Sequence, residues 1–137
     1  MLRFNVKLHI ITVGFAVIMI ISIFSSRAAA LDRLGSQWNG CEYTNCQWKF
    51  QWRRTNANSN IFNAYWSHHQ YGKFQGQISI SISGSTVTVS RPALGGGPSC
   101  TYTGTYHKRD VHNARPAWVS GTYTCGSYTG PWKATIH

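Results

Sequence analysis

Residues 74–83 alternate without a break. Phe74, Gly76, Ile78, Ile80 and Ile82 occupy one parity, and Gln75, Gln77, Ser79, Ser81 and Ser83 the other. Period two is the side-chain period of a β-strand; a helix would scatter the same residues around its surface. Ser83-Gly84-Ser85 then reverses the chain, and residues 86–91 return with Val87 and Val89 inward, which predicts a β-hairpin. The pattern recurs. Trp48, Phe50 and Trp52 oppose Gln47, Lys49, Gln51 and Arg53, and Cys100, Tyr102, Gly104 and Tyr106 oppose three threonines. Val119, Gly121, Tyr123 and Cys125 form another such strand, Trp132, Ala134 and Ile136 a last one, and residues 61–66 add an apolar stretch. No segment of this region carries three or four turns of apolar residues at helical spacing.

Polar connections separate these strands: 54–60, a wet turn at 67–73 holding His68 and His69, the Gly/Pro-rich 92–98, and a basic stretch at 107–116. The 92–98 glycines lack the following Gly-Lys-Ser/Thr of a phosphate loop. Six to eight short antiparallel strands with regular turn signals make an all-β domain, a sandwich or a small closed barrel. Glycines inside strands favour the barrel, because sharply coiled strands need them. A Trp near the start, regular strands, and Trp132-Lys133-Ala134 near the end resemble, in general pattern, the small lipocalin-like and avidin-like barrels. That resemblance implies fold alone and assigns no ligand residues.

The first thirty residues read differently. Arg3 and Lys7 precede fifteen residues, 10–24, that are uncharged and almost wholly apolar, and Ala28-Ala29-Ala30 follows. Charge, apolar stretch and small-residue site in this order predict a signal peptide over 1–30, cut after Ala30. Fifteen residues cover about 22 Å as helix, short of the hydrocarbon layer. The expected product is one secreted or periplasmic domain, 31–137, with no transmembrane segment after cleavage. Removing Arg3, Lys7 and Arg27 from the 13 Lys and Arg leaves ten against Asp32, Glu42 and Asp110, a formal charge of +7. Cys41, Cys46, Cys100 and Cys125 form an even set in an exported small domain, which predicts two disulfides. Three pairings are open. Gly104-Thr105-Tyr106 echoes Gly121-Thr122-Tyr123, and if those strands are neighbours a Cys100–Cys125 bridge would staple one hairpin.

Acids are scarce. Glu42 and Asp110 form the one pair available to carboxylate chemistry, and both read as surface charges in turns. His107 or His112 with Glu42 could serve a small hydrolase or nuclease. His68 and His69 could join His107 and His112 around a metal if their loops met. Neither pattern is a motif, so no catalytic residue, metal or cofactor is assigned. Aromatic residues are abundant instead, with six Trp and seven Tyr all beyond residue 30. Trp38, Trp66 and Trp118 sit beside expected strand ends, where exposed indoles would stack on sugar rings, and Arg53, Arg54, Lys108 and Arg109 supply charge. The resulting expectation is a non-catalytic binding protein for an extracellular glycan or anionic surface polymer. A protein-binding inhibitor or structural surface protein is a further alternative. Export argues against nucleic acid as the normal partner.

Overall fold

The computed structural model describes residues 29–137. The expected signal peptide therefore lies outside the described residues, apart from Ala29 and Ala30. Eight strands follow: β1 Gln37–Glu42, β2 Trp48–Arg54, β3 Ile61–His68, β4 Gly72–Ser83, β5 Thr86–Arg91, β6 Cys100–His107, β7 Ala117–Cys125 and β8 Tyr128–Ile136. Each pairs antiparallel with its predecessor, and β1 pairs with β8. The sheet closes on itself in simple up-and-down order, so no edge strand is left unpaired. Of the two architectures open to the sequence, the barrel is the one formed.

Period-two alternation sorts side chains between wall and interior. Trp52, Phe62, Ala64, Ile80, Val87, Val89, Tyr102 and Val119 are fully buried, while the intervening polar residues face out. β1 is the strand that its own sequence hides. Its inward parity reads Trp38, Gly40, Glu42, and only the first of these is a large apolar residue. The expected turn at 67–73 is also shorter, because β3 runs through His68 and β4 begins at Gly72.

Glycine lets the wall coil tightly. Gly104 and Gly121 lie directly opposite each other on β6 and β7, and a Cβ on Gly121 would sit 1.9 Å from the Thr103 carbonyl oxygen. On the same pair of strands Cys100 faces Cys125, and the two are bridged. The second disulfide joins Cys41 to Cys46 across the β1–β2 connection. Of the three pairings open to the sequence, Cys41–Cys46 with Cys100–Cys125 is the one adopted.

The two ends of the barrel differ. At one end a helical turn over residues 29–32 leads into Leu34, which is buried and accepts a 2.6 Å hydrogen bond on its carbonyl from the Trp38 indole. Ser36 and Gln37 donate backbone hydrogen bonds to the His137 carbonyl, closing that end. The start of the domain is thus held against the barrel. Among the described residues no helix is long and apolar enough to cross a membrane.

Candidate functional site

The opposite end is open. Strands β1, β3, β5 and β7 finish there, and β2, β4, β6 and β8 start there. It holds a cavity of about 420 Å³, inside the range of small-ligand pockets. The walls are largely aromatic: Trp48 from β2, Trp66 from β3, Phe74 from β4, Tyr123 from β7 and Tyr128 from β8, with Tyr43 from the β1–β2 connection. Tyr43 stands there because the Cys41–Cys46 bridge folds its loop back, with its φ at 70° and its N–H on the Pro131 carbonyl. The 92–99 connection forms the remaining wall. Leu94 seats on Gly76, where a Cβ would come within 2.6 Å of the leucine side chain.

Three polar groups converge among these rings. Glu42 is 4 % exposed, and its Oε1 accepts from the Trp66 indole at 2.9 Å and the Tyr102 hydroxyl at 2.7 Å. Burial pushes its carboxyl above the usual range, against the lowering effect of the two donors and of the Arg91 charge. Burial, followed by the neighbouring Glu42 charge, raises both Tyr102 and Tyr123 well above an ordinary phenol. Arg91 reaches the mouth because it shares the inward parity of Val87 and Val89. Its guanidinium donates to Cys100 Sγ and lies 5.3 Å from the Trp66 ring centroid, while its Nε–H is buried without a partner. The Tyr123 hydroxyl is likewise buried and unpartnered.

One rim is built on His68. Its Nδ1 accepts from the backbone N–H groups of Gln70 and Tyr71, so the neutral ring carries its proton on Nε2. Desolvation and then His69 pull its pKa down. Tyr71 stacks on Trp48 at 6.3 Å and 11°. Tyr71, Phe74 and Tyr128 are three of the large apolar side chains that remain exposed, and all three stand at this end.

The residues expected to bind do not share one surface. Trp66 lines the mouth, but as a buried side chain bonded to Glu42. Trp38 is a correction: it is fully buried in a stack with Trp52 and Trp132, because β1 inserts it into the closed end rather than placing it on a rim. Trp118 is exposed on the outer wall and stacked on His107 at 3.7 Å, which its parity opposite Val119 requires. Arg53 faces outward, Arg54 bonds the Ser59 and Gly35 carbonyls near the closed end, and Lys108 and Arg109 lie in the loop between β6 and β7.

Glu42 is a second correction, being inside the barrel and not in a surface turn; Asp110 does lie in a surface turn, where Asn113 and His112 bond it. His107 ends β6 and His112 lies in the following loop, at the opposite end from Glu42. At about 3.3 Å per residue, the strand carries His107 roughly 16 Å beyond Tyr102. The same separation keeps His107 and His112 from His68 and His69. Among the described residues no three metal-ligating side chains cluster.

Arg91, Tyr123 and Trp48 are site residues that reading for exposed indoles and loop charges missed. Extending the inward parity of β5 and β7 to the strand ends would have found the first two. No protein-family model, curated protein or solved structure matches the chain.

Proposed function

We propose that the protein is an exported, non-catalytic binding protein that takes one terminal unit of an extracellular glycan into the open mouth of its barrel. The observation that carries this reading is the convergence of three polar groups, Glu42, Arg91 and Tyr123, on one aromatic cavity. Saccharide rings present apolar faces that lie against aromatic rings, and hydroxyls that need donors and acceptors at their edges. Trp48, Tyr43 and Tyr128 offer the faces here. Arg91 and Tyr123 offer unused donors, and Glu42 Oε2 is not engaged by the two bonds that hold Oε1. Leaving such groups buried and unpaired costs free energy that a matched ligand would recover.

Calorimetric titration of the cleaved protein with a panel of oligosaccharides tests the site. Trp48→Ala should weaken binding by about tenfold or more, as loss of a stacking face does, whereas Trp118→Ala on the outer wall should change it less than about twofold. Equal losses from both, or loss from Trp118→Ala alone, would place the ligand on the wall and not in the mouth.

A further inference from the structure

We infer that the glycan unit entering the mouth is a sugar acid, whose carboxylate meets Arg91 in the cavity. This inference rests on the binding role proposed above and narrows its substrate class. Arg91 is the reason. Its guanidinium contacts the sulfurs of the Cys100–Cys125 bridge and the face of Trp66, and its Nε–H has no partner. None of these is an anion, yet the side chain is drawn into the barrel on the inward parity of β5. A guanidinium so placed is costly unless an anion completes its fork of donors.

Glu42 does not fill that role. Its Oε1 is committed to Trp66 and Tyr102, it makes no hydrogen bond to the guanidinium, and burial raises its pKa. When protonated, Glu42 is itself a donor, and it sits with the Tyr123 hydroxyl on the cavity that Arg91 lines. The cavity therefore presents unpaired donors from Arg91 and Tyr123, which suit a carboxylate better than a neutral hydroxyl cluster. The wider field agrees, since residues 31–137 carry ten Lys and Arg against three acids. The groups facing Glu42 are Arg91, Tyr102 and the phenols of Tyr43 and Tyr123, and none of them supplies a competing negative charge at neutral pH.

Binding of glucuronate and galacturonate, of neutral glucose and galactose, and of benzoate as a carboxylate without a sugar ring separates the possibilities. The uronates should bind about tenfold to a hundredfold tighter than their neutral parents, the range of a charge-assisted hydrogen bond. Arg91→Gln should abolish that preference, so that each uronate and its neutral parent bind with equal affinity. Glu42→Gln keeps a neutral donor, so it should retain uronate binding and flatten the loss of affinity expected of wild type as pH rises above the ordinary carboxylate range.

Equal affinity for neutral and acidic sugars would overturn the inference and leave the glycan reading standing. Benzoate binding as tightly as the uronates would overturn both, making the site one for simple carboxylates; a panel with no binding at all would also overturn both. Should Arg91→Gln fail to fold, the wild-type comparison of acid with neutral parent decides alone.

Discussion

Single residues in this protein are read from parity together with what lies opposite. Glu42 is the sharpest case. Its neighbours in sequence, Cys41 and Tyr43, give no sign of burial, yet the strand that carries Trp38 inward carries Glu42 inward as well. Glu42→Ala would orphan the Trp66 indole N–H and the Tyr102 hydroxyl. It should cost about 1–3 kcal/mol per unsatisfied donor in chemical denaturation at pH 7. The pH dependence has a definite sign. A carboxyl raised in the folded state binds its proton more tightly there than in the unfolded chain, so its contribution to stability falls as pH rises from 4.5 through the folded value and then levels. The difference in stability between wild type and Glu42→Gln, followed by denaturation across that window, should trace this fall; a flat difference would mean that Glu42 titrates normally. Gly121 shows the opposite constraint, set by backbone and not by charge. An added Cβ meets the Thr103 carbonyl and the Gly104 Cα, neither of which can rotate away. Gly121→Ala should therefore destabilise by about 3 kcal/mol or prevent folding, seen as a lowered Tm.

At the scale of elements, strand alternation was legible wherever apolar residues marked one parity, as in β2, β4, β5 and β6. It failed at β1, whose inner face is Trp, Gly, Glu, and at the end of β3, where His68 was read as part of a wet turn. In both places a polar residue is buried because specific partners satisfy it, which no periodicity reveals. Hairpins follow a simpler rule. Gly84-Ser85 and Gly126-Ser127 each place glycine at φ 59° in the first position of a two-residue turn, the II′ pattern that matches strand twist. The two disulfides sit at the mouth and act on different elements. Replacing Cys100 and Cys125 by serine opens a 26-residue loop and should cost about 3.5 kcal/mol of global stability. Replacing Cys41 and Cys46 opens a much shorter loop and should cost about 2 kcal/mol. Because the short loop presents Tyr43, its loss should weaken ligand binding more than its stability cost implies. Denaturation and titration of both double variants check the contrast; unchanged binding after loss of the Cys41–Cys46 bridge would remove Tyr43 from the site.

For the whole molecule, closure of the sheet determines where the candidate site lies more than any segment does. A barrel without edges has two ends, and here Leu34 and the C-terminal residue seal one while the other remains open. Cleavage after Ala30 would leave Leu31, which packs against the core, and Leu34 at that sealed end. If the chain is exported as proposed, mass spectrometry of the secreted product should give a chain beginning at Leu31. Starting the chain beyond Leu34 should lower stability by about 2 kcal/mol, the burial of one leucine. The fold class, the hairpins, the wall-or-interior side of most strand residues and the presence of two disulfides were determined by the amino-acid sequence alone. Side-chain parity and turn chemistry are local properties, written within a few residues of where they act. Which strand ends share a mouth was decided only by the tertiary structure. Glu42, Arg91 and Tyr123 lie 49 and 32 residues apart along the chain. They meet because β1, β5 and β7 run in the same direction round a closed barrel, and register across eight strands is a global quantity that no local pattern encodes.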